Sequence, residues 1–181
     1  MKKTAILLAD GFEEIEALTV VDLLRRVRIT CDMVSVGDAG QVAGSHGITV
    51  LPDRKFSETS FDGYDGVILP GGMPGTKNLG ADGRVLRLLQ SFYARGKLTA
   101  AICAAPTVLA KAGLLEGKSA VCHPGWEEQM TGADVCFEPV AVDGTVITSR
   151  GAGTAIAFAL AIIQYFDSKE QAEDLASSIV Y

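Results

Sequence analysis

Thr99-Ala100-Ala101-Ile102-Cys103-Ala104-Ala105-Pro106 is a short apolar run that ends on a cysteine and passes through two small residues to a proline. Thr99–Ile102 reads as a buried strand and Pro106–Ala112 as a helix closed by Gly113. The cysteine between them stands at a strand-to-helix turn, which holds a side chain above the sheet as in a nucleophile elbow. Small neighbours permit the sharp turn and leave room for a ligand. The helix start behind the sulfur favours a thiolate over a thiol. The competing reading of Cys103 is a small buried hydrophobe.

The same alternation continues outward on both sides. Thr4–Ala9 is a strand ending at Asp10-Gly11, and Glu13–Arg26 is a helix with acidic residues in its first turn. Cys31–Val36 is a strand, Gln41–Ala43 and Gly47–Leu51 form a hairpin around Gly44-Ser45, and Gly66–Leu69 is a strand stopped by Pro70-Gly71-Gly72. Gly83–Ala94 is an amphipathic helix with Gly96 beyond it. After the central run, Val135–Val142 and Thr145–Thr148 flank the hairpin signal Asp143-Gly144, followed by helices over Thr154–Tyr165 and Lys169–Ile179. Short apolar strands alternating with helices imply an α/β protein whose mostly parallel central sheet is covered on both faces. Such a sheet binds ligands in the turns at the carboxyl ends of its strands. Those turns are Asp10–Glu14, Pro70–Gly75 and Cys103–Pro106.

Composition narrows the function. The 181 residues form a single domain, 1–181, with 16 basic against 22 acidic residues and a net charge of −6. That balance speaks against nucleic acid and anionic membranes as partners. The longest apolar run, Ala155–Ile163, is nine residues, too short to span a bilayer. The short stretch Ala5–Ala9 is followed by Asp10, Glu13 and Glu14, so no targeting segment is read and a cytoplasmic location is expected. None of the four cysteines makes a C-x-x-C pair, and there are two histidines, so neither a metal site nor a disulfide framework is expected. Cys31 and Cys136 lie in strand-like runs and read as packing residues. No phosphate-binding glycine loop is present, and no cofactor is expected.

Three further features bear on chemistry. The Pro70-Gly71-Gly72 turn can turn backbone N–H groups toward an anion, making an oxyanion hole opposite Cys103, or it is an ordinary turn. Glu16 shares a helix stripe with Val20, Leu23 and Val27, so it is either a core-facing acid with a raised pKa or a solvated glutamate. Glu13 and Glu14 read as solvated. His123, in Cys122-His123-Pro124, is a pocket residue or a structural one; His46 lies in the hairpin turn.

Together, Ala9-Asp10-Gly11-Phe12-Glu13-Glu14-Ile15-Glu16, Leu69-Pro70-Gly71-Gly72, Ala100–Pro106 and Thr148-Ser149-Arg150-Gly151-Ala152-Gly153-Thr154 resemble the ThiJ/PfpI superfamily and its parkinsonism-associated deglycase branch. The resemblance implies a flavodoxin-like three-layer sandwich and a homodimer. It makes Cys103 the reactive cysteine, Glu16 its carboxyl partner, His123 a pocket residue, and the Gly71-Gly72 turn with Ala104 the source of oxyanion donors. It implies a cofactor-independent glyoxalase or deglycase that acts on small 2-oxoaldehydes, or on glycated amines and thiols, and releases 2-hydroxy acids. A redox-sensing or stress-protective, chaperone-like role of Cys103 is the alternative. A peptidase or amidotransferase-like hydrolase is disfavoured because Ala104 stands where the protease-like branch has histidine. Ser45-His46 replaces the branch's Ser-Arg, and Arg28 replaces a glycine after the first helix, which implies a frayed or strained helix end. The Cys103 thiol is expected below its ordinary ~8.5 and Glu16 above its ordinary value.

Overall fold

Glycine or proline ends most of the apolar runs, and in the computed structural model, which describes residues 1–181, these runs build one seven-stranded sheet. Its strands are β1 (Lys3–Leu8), β2 (Thr30–Ser35), β3 (Arg54–Lys55), β4 (Gly66–Leu69), β5 (Leu98–Ile102), β6 (Val140–Asp143) and β7 (Val146–Ser149). They lie in the order β6-β7-β5-β4-β1-β2-β3, and every pair is parallel except the β6–β7 hairpin. The helices are α1 (Glu14–Arg26), α2 (Gly75–Ala81), α3 (Gly83–Ala94), α4 (Pro106–Lys111), α5 (Ala155–Phe166) and α6 (Lys169–Ser178).

Alternate strand residues feed two separate cores, as a pleat of period two requires. Ala5, Leu7, Val67, Leu69 and Ala101 pack toward Leu79, Leu89, Phe92 and Leu109 of α2, α3 and α4. Ile6, Leu8, Ile68, Ala100 and Ile102 pack toward Val20, Leu24, Phe158 and Leu175 of α1, α5 and α6. β4 and β5 are buried at every residue, which is why their sequences, Thr99 apart, are apolar with no alternation. The result is the three-layer, flavodoxin-like arrangement. No helix is long and apolar enough to cross a membrane.

The connection from β1 to β2 runs through α1 on one face, whereas β4 reaches β5 through α2 and α3 on the other. Between β1 and β4 the chain therefore departs in opposite directions, and the crevice at their carboxyl ends is the ligand position of such sheets. β1 and β4 pair with Ala5 opposite Val67, and β4 and β5 with Leu69 opposite Ala101. The turns after these three strands are thus brought side by side.

Three elements differ from expectation. α2 was not expected, because Gly75 and Gly80 weaken its intrinsic propensity; buried Leu79 and Thr76 hold it against the sheet layer. The run Val135–Val142 is divided at Pro139: Asp134–Val135 pairs instead with Ser119–Ala120, and only Val140–Asp143 joins the main sheet. Arg54–Lys55 forms a short polar edge strand with no apolar signal. The hairpin between Val42–Ala43 and Thr49–Val50 is present as expected.

Arg28 takes φ 62 at the end of α1, where Arg28 N–H donates to Arg25 O at 3.1 Å and Ile29 N–H to Leu24 O at 3.0 Å. A left-handed C-terminal turn of this kind suits glycine, and a side chain there costs roughly 1 kcal/mol. Arg28→Gly is expected to raise the stability of the protein by about that amount. Urea denaturation of the two proteins checks this; an unchanged or lower midpoint would contradict the strain.

Candidate active site

Each of the three turns contributes one part of the site. Cys103 sits at φ 67, a left-handed conformation unusual for a residue with a side chain, and is only partly buried. Its backbone is held on both sides: its N–H donates to Ser149 O at 2.9 Å, and its carbonyl accepts the His123 N–H at 2.7 Å. This is the elbow expected from the small residues around it. Pro106 opens α4 directly behind.

Glu16, 1% exposed, reaches the same point from the first turn of α1. Its Oε2 accepts the Gly71 N–H at 2.8 Å, and that oxygen and the Cys103 sulfur both border the space beside Gly71. Position 71 admits nothing larger than glycine. An added Cβ would lie 2.6 Å from the Cys103 Cβ, 3.0 Å from its Sγ and 2.7 Å from Glu16 Oε2. Gly72 has φ 90 and turns against the backbone of Gly11, Phe12 and Glu13, so a side chain would meet main chain there too. With these constraints met, the amides of Gly72 and Ala104 favour the charged form of the Cys103 sulfur. Of the two readings of Glu16, its burial matches the core-facing acid, and the Gly71 amide of the glycine turn is spent on its carboxyl.

His123 is placed differently. Its backbone clasps Cys103, but its ring is exposed, with Nδ1 3.0 Å from Pro124 O, and no hydrogen bond joins it to Sγ or Glu16. Gly151 faces it, an added Cβ there lying 3.3 Å from His123 Cδ2.

Glu14 is a correction. It is 4% exposed, not solvated. It accepts the backbone N–H of His46 at 2.7 Å and lies 2.9 Å from the His46 Nδ1. Burial opposes its charge, but the hydrogen bonds from His46 and Ile48 outweigh it and bring the carboxyl down to about 2. The hydrogen bond to Glu14 and the charge of Glu13 in turn raise His46. His46 therefore clamps the hairpin to α1. Glu13, Glu14 and His46 bring ligand-type atoms within 4.8 Å of one another, but the Glu14 oxygens and the His46 Nδ1 are already spent on each other.

Glu16 and Cys103 compete for one negative charge. Burial raises the Glu16 carboxyl to about 7 against the opposing hydrogen bonds of Cys103 and the Gly71 amide. That rise matches expectation. The expectation of a depressed thiol needs correcting: burial, then the charge and hydrogen bond of an ionised Glu16, push Cys103 up to about 12, and the amides of Ala104 and Gly72 offset only part of this. The two causes due to Glu16 vanish when Glu16 keeps its proton, and its O–H then adds a donor to the sulfur. Glu16 is the more deeply buried of the two, so desolvation weighs more on the carboxylate. A thiolate at Cys103 therefore requires the proton to stay on Glu16. A depressed thiol is a property of the pair and is lost whenever Glu16 ionises.

Sequence reasoning missed the roles of Ser149 and Gly151, though both lie in the Thr148–Thr154 motif it quoted. It also missed the Glu14–His46 clamp, whose partners are 32 residues apart.

Fold and site together define a class: flavodoxin-like sandwiches with a cysteine elbow facing a buried glutamate across a glycine turn. The DJ-1/PfpI family model matches residues 2–165, and the chain belongs to that family. It is 38% identical over 181 residues to Drosophila melanogaster Protein dj-1beta, covering 99% of this chain and 97% of that one. A Pyrococcus abyssi protein named a deglycase is 30% identical over 158 residues, covering 86% of this chain and 94% of that one. The solved structure of oxidized Toxoplasma gondii DJ-1 superposes with a TM-score of 0.96 at 36% identity, covering 100% of this chain and 99% of that one.

The lowered pKa of Glu14 makes a prediction for acid. A carboxyl depressed on folding contributes stability above its unfolded pKa, and that stability is lost as pH falls through the folded one. Stability is expected to drop between about pH 4.5 and about 2, and the drop is expected to be smaller in Glu14→Gln. Urea midpoints across that range check it; parallel curves for the two proteins would contradict the clamp.

Proposed function

We propose that the protein is a cysteine-dependent, cofactor-independent glyoxalase or deglycase that converts methylglyoxal, glyoxal or their early amine and thiol adducts to 2-hydroxy acids. The observation that carries this reading is the pairing of Cys103 with Glu16 across Gly71, with the amides of Gly72 and Ala104 at the sulfur. The name of the archaeal relative supports it.

The chemistry follows from the placement of one proton. The Cys103 sulfur adds to the aldehyde carbon, forming a C–S bond while the C=O electron pair moves to oxygen. The Gly72 and Ala104 amides receive the developing oxyanion. Glu16 gives its proton to that oxygen, and a hemithioacetal results. Now a carboxylate, Glu16 takes the C–H proton from the former aldehyde carbon and returns it to the adjacent carbonyl carbon, while the hydroxyl proton passes to the adjacent carbonyl oxygen, with His123 at the pocket edge assisting. The product is a 2-hydroxy thioester. Water cleaves the C–S bond, releasing the 2-hydroxy acid and restoring the Cys103–Glu16 pair. For a free 2-oxoaldehyde the net change is addition of one water; in an adduct the sulfur displaces the amine or thiol, which leaves with the Glu16 proton, and neither path needs an external oxidant or reductant. A buried carboxyl near 7 is suited to both giving and taking a proton.

A second reading is carried by the partial exposure of Cys103 beside a protonated acid. Such a sulfur is prone to oxidation, and the Glu16 O–H can donate to a sulfinate and hold it at that stage. We also propose a homodimer. α1 and the hairpin clamped to it expose the apolar side chains Ile15, Ile48 and Leu51, which such an interface would cover.

Lactate produced from methylglyoxal, resolved by chirality, tests the catalytic reading. Cys103→Ala is expected to abolish it, and Glu16→Gln to reduce turnover by ~10²-fold or more, the usual scale for a general acid–base group. Equal lactate from wild type and Cys103→Ala would overturn it.

A further inference from the structure

An open groove of about 550 Å³ runs between α2, α4 and the segment that follows His123. Each of its walls continues from a part of the site. Met73 follows Gly72, and the Thr76 N–H donates to Gly72 O at 2.9 Å. Thr107, in the first turn of α4, donates its hydroxyl to Ala104 O at 2.7 Å. Trp126 N–H donates to His123 O at 3.2 Å.

The charge of the groove is unlike that of the whole chain. The protein carries −6, yet Lys77 and Lys111 face the groove against the single acid Glu128. Neither lysine belongs to an ion pair. Thr76, 3% exposed and lining the groove, has a hydroxyl with no hydrogen-bond partner. A buried polar group left unpaired is uncommon and calls for a partner. Met73 and the half-buried Trp126 supply apolar surface beside these groups.

We propose that this groove seats the anionic remainder of the substrate, a thiol or amine adduct bearing carboxylates, while its carbonyl end reaches Cys103. The inference rests on the glyoxalase reading for its link to turnover, but not for binding. Lys77 and Lys111 supply charge, the Thr76 hydroxyl supplies a donor after rotation about its side-chain bond, and Trp126 covers the carbon chain. The groove would then select adducts by charge at a distance from the reacting carbonyl.

Trp126 is the only tryptophan, so its fluorescence reports this groove alone. Cys103→Ala is titrated with 2-(methylthio)succinate, a non-reactive dianion, by fluorescence and calorimetry. Saturable binding that weakens about tenfold in Lys77→Gln/Lys111→Gln is expected, two exposed charge contacts being lost. It is also expected to weaken with salt. No saturable binding by either method overturns the groove. In turnover, the methylglyoxal adducts of mercaptosuccinate and of neutral mercaptoethanol are compared. The KM for the anionic adduct is expected to rise about tenfold relative to the neutral one in the double variant. An equal change for both adducts overturns the selection by charge. Binding without lactate from either adduct would overturn the catalytic reading and leave the groove an anion site.

Discussion

A Cβ at position 71 would occupy the space in which the Cys103 sulfur and the Glu16 carboxylate meet. The absence of that one carbon lets a cysteine on an elbow and a glutamate on a different helix share a proton, and much of the structure serves to keep them there. Burial then decides what the contact means. Two anions held this close in a poorly solvated pocket repel, so the pair carries one negative charge, and the donors around each atom determine where it rests.

The sheet delivers these atoms. Parallel pairing aligns the carboxyl ends of β1, β4 and β5, and the reversal of direction between β1 and β4 opens a crevice where the Glu16 helix begins and the glycine turn ends. The Cys103 backbone is tied to the strand end at Ser149 and to His123, which holds its left-handed conformation. Cores on both faces make the platform rigid enough to store that strain. On the far side of α1, the Glu14–His46 clamp fixes the hairpin to the first turn of the helix that carries Glu16.

Much of this was legible in the sequence because the signals were local. Gly66–Leu69 and Gly83–Ala94 end where glycine, proline or a cap residue ends them, and the elbow is written in the small residues around Cys103. The helix stripe left Glu16 open between core and solvent, and only the glycine turn, 55 residues away, resolves it. Glu14 was misread for the same reason: its partners are amides of a hairpin that α1 alone does not reveal. α2 carries two glycines and forms because Leu79 packs, a tertiary effect that propensity does not record. The thiol shift could not be assigned to Cys103 alone, since two of the three causes that raise it come from Glu16.

The placement of that proton is the claim on which the rest stands. Ultraviolet thiolate absorbance, titrated against pH in wild type and in Cys103→Ala, isolates the sulfur's own ionisation. The account predicts a midpoint well below about 12, because Glu16 keeps its proton and the charge and hydrogen bond of its carboxylate no longer oppose the thiolate. A sulfur that stays protonated through neutrality and ionises only toward about 12 would put the charge on Glu16 and contradict it.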